Sequence, residues 1–173
     1  MAGPRIVVVM GVAGCGKTTV GRALAASEGG AFIDGDDLHP PENVAKMREG
    51  TPLTDDDRWP WLDRLGAALA ERASQDGLAF AACSALRRAY RDRLRQALGE
   101  PALFVHLEGE RQLIRARMAA RLGHYMPTAL LDSQFATLEP LAPDEPLGET
   151  VAVTGSPEEV VAAALKVVRH ARD

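Results

Sequence analysis

Residues 5–18 of the chain are RIVVVMGVAGCGKT. The first six form a largely β-branched run without polar alternation, which is typical of a strand buried on both faces of a parallel sheet. Residues 11–18 fit the pattern G-x-x-x-x-G-K-[ST], in which backbone N–H groups and a helix N-terminus surround phosphate. The alternative is a glycine-rich turn that matches by chance, and the strand before the motif and the helix after it argue against this.

The position of each residue in the motif predicts its role. Lys17 is expected to reach the β- and γ-phosphates of a nucleotide, and Thr18 to ligate Mg²⁺. Cys15 is interpreted as a variable residue of the loop. The residues predicted to hold the nucleotide phosphates are Gly11, Val12, Ala13, Gly14, Cys15, Gly16, Lys17, Thr18 and Thr19.

The composition favours a single cytoplasmic domain. A chain of 173 residues has the usual length of one domain, and 46% hydrophobic with 25% charged residues is typical of soluble globular proteins. A net charge of −4 disfavours general attraction to nucleic acids or membrane surfaces. The N-terminal apolar run is too short for a spanning helix or a signal peptide. Two isolated cysteines suit a reducing compartment.

Apolar runs and helical segments alternate along the chain, which predicts an α/β fold with a five-stranded parallel sheet flanked by helices and joined by right-handed crossovers. The predicted strands are residues 5–10, 31–34, 78–84, 102–108 and 150–155. The predicted helices are 17–27, 41–50, 59–75 with breaks at Pro52 and Pro60, a segment ending near Leu98, 110–122, a short piece after Pro127, and 157–170. The proline-rich stretch 140–146 is predicted to be a surface loop with little structure of its own.

Two carboxylates, Asp34 and Asp36, follow the second predicted strand. Ligands of open α/β sheets bind beyond the carboxyl ends of the strands, so both side chains are expected beside the phosphate loop. One carboxylate there could accept a proton from an attacking hydroxyl group, and another could hold Mg²⁺ through water. The alternative is a solvated Asp-Gly turn, which the same residue types favour.

Two classes of phosphate-loop protein compete, a small-molecule kinase and an NTP-driven switch or motor. The Asn-Lys-x-Asp signature of a guanine-specific switch is missing, because neither Lys46 nor Lys166 has that setting. A typical ATPase places an Asp at the end of an apolar strand, whereas the third and fourth predicted strands end in Ser84 and Glu108. The pattern therefore favours a kinase.

Four blocks, in the same order over most of the chain, resemble bacterial-type gluconate kinase. They are GVAGCGKT (11–18), DGDDLHPPENVAKMREGTPLTDDDRWPWL (34–62), CSALRRAYRDRLR (83–95) and RLGHYMPTALLDSQFATLE (121–139). A more distant similarity is to shikimate kinases and nucleoside monophosphate kinases, which share the five-stranded core and a mobile lid. The resemblance implies that a homodimer transfers a phosphoryl group from ATP to D-gluconate, giving 6-phosphogluconate. A shikimate-type or other sugar-acid kinase, and an ATP-binding switch without acceptor, are the alternatives.

The resemblance also implies two functional segments within a single domain. Residues from about 39 to 75 would form a small acceptor-binding segment, and residues from about 117 to 137 a lid that excludes water. The implied acceptor contacts are Asp36, His39, Lys46, Arg58, Ser84 and Arg88. Alternatives stay open for three of the cations: a solvated lysine at 46, local pairing of Arg58 with the acidic run 55–57, and Arg87 in place of Arg88.

The implied mechanism is in-line transfer to a primary hydroxyl group. Lys17 would hold the β- and γ-phosphates, Asp36 would orient the acceptor hydroxyl and take its proton, and Arg121 would stabilise charge on the transferring phosphoryl group. Arg117 is the second lid arginine. The implied metal ligands are Thr18 directly and Asp34 through water.

Other roles for these residues stay open. Asp34 and Asp36 could exchange roles, and Arg117 and Arg121 could be charged residues on an exposed helix. His124 is interpreted as a lid-packing residue, because no partner residue has metal-ligand spacing.

Overall fold

The computed structural model describes residues 2–120 and 128–173. The strands are β1 (Ile6–Met10), β2 (Ala31–Asp34), β3 (Ala79–Ala82), β4 (Ala102–Glu108) and β5 (Gly148–Ala152). The helices are α1 (Lys17–Glu28), α2 (Pro41–Arg48), α3 (Asp55–Asp76), α4 (Arg88–Leu98), α5 (Arg111–Ala120), α6 (Thr128–Thr137) and α7 (Pro157–Arg172). A short 3₁₀ helix, Gly35–Leu38, follows β2 directly. Within the described ranges, no helix is long and apolar enough to cross a membrane.

β1 lies at the centre of a five-stranded parallel sheet with the order β2-β3-β1-β4-β5. Ile6 pairs with Ala79 of β3 on one side and with Ala102 of β4 on the other. All five β1 residues have 0% exposed surface, as their apolar run predicted. Alternate β1 side chains enter the two hydrophobic clusters on opposite faces of the sheet. The predicted fold class, a parallel sheet flanked by helices, is confirmed.

Helix α3 passes through Pro60 without a break, so the break predicted there is wrong. Thr54 and Asp57 cap the helix start reciprocally, since each side chain accepts the backbone N–H of the other. Pro60 is exposed, and the residues after it bury one face of the helix against the core, including Leu62 and Leu65 at 0% exposure. This packing outweighs the hydrogen bond that a proline cannot donate.

The fifth strand begins two residues before its predicted start and ends at Ala152. β5 is an edge strand, and within it only Val151 is buried. The apolar pattern of residues 150–155 therefore indicates the buried end of the strand and not the exposed residues with which the strand begins. Pairing with β4, which places Gly148 opposite Phe104, determines where the strand starts.

The proline-rich stretch 140–146 has no helix or strand and is mostly exposed, as predicted, but it contributes Glu145 to a buried ion pair. Glu145 accepts hydrogen bonds from Arg91 Nε at 2.7 Å and from Arg91 Nη2 at 2.8 Å, and both side chains have 0% exposed surface. Arg91 also donates to the carbonyls of Ala85 and Glu139. One arginine of α4 thus ties the chain after α6 to the loop after β3.

Because of this ion pair, we expect the stability of the fold to decrease at acid pH. Burial works to raise the pKa of Glu145, but hydrogen bonds from Arg91, the Ala142 N–H and Arg95 outweigh it and lower the pKa from 4.5 to about 2. A carboxyl group whose pKa is lowered by folding stabilises the protein above its unfolded pKa. We therefore expect this stabilisation to be complete above about pH 4.5 and to be lost as the pH falls towards 2.

Glu145→Gln is expected to lower the free energy of unfolding by about 3–5 kcal/mol, because it leaves the Arg91 charge buried without its counter-ion. Urea unfolding at pH 7 measures this. The matched control is Asp144→Asn, which removes the neighbouring, 73% exposed carboxylate that pairs with Arg88. The control should cost at most about 1 kcal/mol. Equal losses in the two variants would contradict a special role for the buried pair.

Candidate active site

The loops that follow β1, β2 and β3 open into a cleft of about 650 Å³. The phosphate loop, the turn after β2, the segment 47–53 and helix α6 contribute its lining. The cleft lies at the edge where the carboxyl ends of the parallel strands meet, which is the usual ligand position in such sheets. The acids and the phosphate loop predicted from sequence therefore share one cavity.

The phosphate loop has the curled backbone that anion binding requires. The loop residues that line the cleft are Ala13, Gly14, Gly16, Lys17 and Thr18. Gly14 and Gly16 have φ angles of 80° and 101°, which residues with side chains rarely adopt. A Cβ atom on Gly14 would also lie 2.5 Å from Met118 Cγ. Lys17 donates from Nζ to the Val12 carbonyl at 2.9 Å, which holds its ammonium group over the loop.

The other predicted phosphate-loop residues are not in the cleft lining. They are Gly11, Val12, Cys15 and Thr19. The Gly11 N–H donates to the Ser84 carbonyl at 3.2 Å and so ties the start of the loop to the end of β3. Cys15 is 4% exposed and lies against Gly11, which agrees with its interpretation as an ordinary loop residue.

Asp34 joins the loop to the turn after β2. Its Oδ2 accepts the Thr18 hydroxyl at 3.2 Å, and its Oδ1 accepts the Asp36 N–H at 3.1 Å. The two residues predicted to hold magnesium therefore lie side by side. Hydroxyl and carboxylate oxygens suit Mg²⁺, which usually binds one or two protein oxygens together with water and substrate phosphates. Within residues 2–120 and 128–173, no group of three or more His, Cys, Asp and Glu side chains could hold a metal.

Asp36 lines the same cleft as Lys17. Enclosure by the cleft walls raises the pKa of Asp36; the Lys17 ammonium opposes this shift, and the carboxylates of Asp34 and Asp37 add to it. The side chain is nevertheless 77% exposed to the open cleft, so water still stabilises its charge. An acceptor that displaced this water would strengthen the upward shift. Such a carboxylate is suited to receiving a proton inside a closed site.

His39 is a buried, neutral member of the cleft. Its ring stacks on Trp61 with the ring centres 4.1 Å apart, and its Nδ1 lies 3.1 Å from Asn43 Nδ2. Burial first, and the Arg58 cation second, lower the pKa of His39 to about 4. Because the amide nitrogen of Asn43 can only donate, Nδ1 accepts and the proton lies on Nε2, which leaves one donor for contact with a hydroxyl group. Trp61 Nε1 donates to the Gly35 carbonyl at 2.7 Å and so fixes the stack to the turn.

Arg58 also lines the cleft, and its guanidinium is held by an aromatic neighbour. It lies over the Tyr90 ring at 4.8 Å from the centre and donates to the Tyr90 hydroxyl at 3.0 Å. It also donates to the Leu53 carbonyl, whereas its separation from Asp55 is 3.9 Å. The local charge pairing left open by the sequence is therefore only a weak contact.

Lys46, which is predicted to contact the acceptor, forms an ion pair at the start of α3. It is outside the cleft lining and binds Asp57 Oδ2 at 2.7 Å. This bond, with the Thr54 N–H, lowers the pKa of Asp57 to about 2. In this conformation Lys46 supports the start of α3, and the geometry gives no support to a direct acceptor contact.

Arg88, the arginine favoured from sequence on α4, also lies outside the cleft lining. Its guanidinium binds both carboxylate oxygens of Asp144, at 2.9 and 3.0 Å. Arg87 instead lines a second cavity of about 420 Å³, which shares Arg58 with the main cleft. Ser84 lines the main cleft, as predicted for an acceptor contact. The arrangement thus favours Arg87 over Arg88 as the α4 cation nearer to a ligand.

Of the two predicted lid arginines, the structure describes only Arg117. Arg117, on α5, donates to the Gly155 carbonyl at 3.1 Å and thereby connects the predicted lid to the chain after β5. Arg121 and His124 lie outside the described residues. Their predicted roles stay predictions.

Helix α6 supplies cleft residues that the sequence analysis did not identify. They are Leu130, Ser133, Gln134 and Thr137. Their spacing of three and four places them on one helix face, which was the available signal. These residues were not predicted as ligand contacts because uncharged residues on a short helix do not by themselves indicate a ligand. Gln134 Oε1 accepts the Ala13 N–H at 2.7 Å and so connects α6 with the phosphate loop.

Fold and cleft together define a P-loop kinase: a parallel sheet, a phosphate loop after its central strand, and acids after the neighbouring strand. A family model described as an AAA domain matches residues 6–141. The shikimate kinase of Acinetobacter baumannii has the same fold, with a TM-score of 0.63 at 18% sequence identity over 96% of this chain and 94% of that one.

Closer similarity narrows the class. The thermosensitive gluconokinase of Escherichia coli strain K12 is 48% identical over 139 residues, which are 80% of this chain and 73% of that protein. The crystal structure of a gluconokinase from Sinorhizobium meliloti 1021 superimposes with a TM-score of 0.89 at 45% identity, covering 99% of this chain and 95% of that one. The chain belongs to the gluconokinase family.

Proposed function

We propose that this enzyme transfers the terminal phosphoryl group of ATP to the primary hydroxyl group of D-gluconate, giving ADP and 6-phosphogluconate. The observation that carries the proposal is that Lys17 of the phosphate loop and Asp36 of the turn after β2 line one cleft, with Arg58 in the same lining. The cleft thus combines a lysine that binds the phosphates of the donor, a carboxylate that can take a proton, and a cation that can bind the carboxylate of the sugar acid. Membership of the gluconokinase family supports gluconate as the acceptor.

On the nucleotide side, Lys17 and the loop amides hold the β- and γ-phosphates. Thr18 and Asp34 would hold Mg²⁺, which when bound neutralises charge on the phosphate oxygens. Arg117 and Arg121 are proposed as lid cations that approach the nucleotide when residues of about 117–137 close over it. Positioning and charge stabilisation should matter more than base strength, because phosphoryl transfer is largely dissociative.

On the acceptor side, Asp36 orients the attacking hydroxyl and takes its proton late in the reaction. His39 and Ser84 are placed to bind further hydroxyl groups, because both line the cleft. Arg58 is proposed to bind the carboxylate of gluconate, since its guanidinium is positioned by Tyr90 and only weakly paired with Asp55. The homodimer and the cytoplasmic location stay predictions.

Gluconate-dependent release of ADP tests the proposed function. Coupled ADP production is measured with gluconate, shikimate, adenylylsulfate and nucleoside monophosphates as separate acceptors, and without any acceptor. Gluconate should stimulate turnover far above the acceptor-free rate, because only a bound acceptor presents its hydroxyl in line with the phosphoryl group. Stimulation by shikimate instead would indicate a shikimate-type kinase, and hydrolysis that no acceptor stimulates would indicate a nucleotide-binding switch.

Asp36→Asn is expected to lower gluconate-dependent kcat by roughly 10²–10⁴-fold, the usual contribution of a positioned proton acceptor. The dissociation constant of an ATP analogue should change little, since Asp34 and the loop still hold the nucleotide side. The matched control is Asp37→Asn, which removes the adjacent exposed carboxylate that is not part of the cleft lining. Full turnover in the Asp36 variant would show that another group takes the proton.

A further inference from the structure

A side chain of helix α6 forms a hydrogen bond with the phosphate loop. Gln134 Oε1 accepts the Ala13 N–H at 2.7 Å. Ala13 is the third residue of the phosphate-loop motif, and both residues line the cleft. The hydrogen bond therefore lies in the cleft, on the side that α6 forms. It joins two residues that are 121 positions apart in the chain.

Other residues of α6 contact the core and helix α5. Leu131 is 3% exposed, and Asp132 pairs with Arg115 of α5 at 3.1 Å. Just beyond the helix, the Glu139 N–H donates to the Leu86 carbonyl at 2.7 Å. Gln134 thus connects α6 with the loop that holds the phosphates.

The residues around Gln134 show which side of the reaction this contact affects. Ser133 and Thr137, on the same helix, line both the main cleft and the smaller cavity that contains Arg58 and Arg87. The face of α6 that touches the phosphate loop is therefore also part of the space available to an acceptor. A change in its distance from the loop would alter how an acceptor hydroxyl meets the terminal phosphoryl group.

We propose that Gln134 is a positioning residue for phosphoryl transfer, whose side-chain amide fastens α6 to Ala13 and so keeps the acceptor, rather than water, in line with the phosphoryl group. The inference rests on the proposed function. It assigns Gln134 no proton transfer and no direct bond to phosphorus. Its effect is on alignment, where an error of about 1 Å can cost about 10²-fold in rate, and on the exclusion of water from the closed site.

The test replaces Gln134 with Met, which has a similar length but does not offer the accepting amide oxygen. Gluconate-dependent kcat should fall at least about fivefold, as expected for the loss of one hydrogen bond that aligns the site. ATP hydrolysis without gluconate should stay the same or rise, so that the ratio of the two rates falls. The affinity for an ATP analogue should match that of the wild type, and the unfolding midpoint should fall only slightly, as expected for the loss of one hydrogen bond. Gln112→Met, at an exposed position on α5, is the matched control.

Two results from the kinetic and stability measurements would overturn the inference. One is an unchanged ratio of the two rates in Gln134→Met; the other is a parallel loss of both rates, nucleotide affinity and stability, which would mean a purely structural role. Hydrogen exchange at the Ala13 amide gives a readout that needs no acceptor: it should be faster in the variant, and unchanged exchange would contradict the contact. If wild-type enzyme shows no gluconate-dependent turnover while Ala13 exchange still rises in the variant, the proposed function fails and the contact stands.

Discussion

The site depends on the central position of β1 between two parallel neighbours. Because β3 and β4 pair with it on either side, the chain that leaves β1 must curl into α1 at the middle of the sheet edge. The phosphate loop occupies this turn, and the loops after β2 and β3 open beside it. The distance between the phosphate-binding amides and the Asp36 carboxylate is therefore a consequence of strand order, which a fully buried β1 helps to fix.

Two polar contacts hold helix α6 and the chain after it, which the sheet does not position directly. The buried pair of Arg91 and Glu145 holds the chain after α6 against α4. Gln134 holds the cleft face of α6 against the phosphate loop. Both contacts connect parts of the chain that are far apart in sequence, one at α6 and the other shortly after it. The sheet thus positions the phosphate loop and the turn that carries Asp36, and the two polar contacts hold α6, which lines the same cleft, and the chain that follows it.

The parts predicted well from sequence are those encoded by local patterns. The β1 run, the phosphate-loop motif and the acids after β2 each follow from residue types at short spacing. Lys46 and Arg88 form ion pairs with Asp57 and Asp144, which the sequence could not indicate because these contacts depend on the fold; their predicted acceptor contacts stay predictions. Gln134 was missed for the same reason, since its partner in the phosphate loop is distant in sequence. Burial of Glu145 in a proline-rich segment equally requires knowledge of what Arg91 contacts.

The most direct test of this account is the chemical identity of the product. Phosphorus and carbon NMR of a reaction between ATP and ¹³C-labelled gluconate would show which oxygen receives the phosphoryl group. The account predicts a single phosphate ester whose phosphorus couples to the methylene carbon C6, formed together with an equal amount of ADP. Inorganic phosphate without any gluconate ester, or an ester at a secondary hydroxyl group, would contradict it.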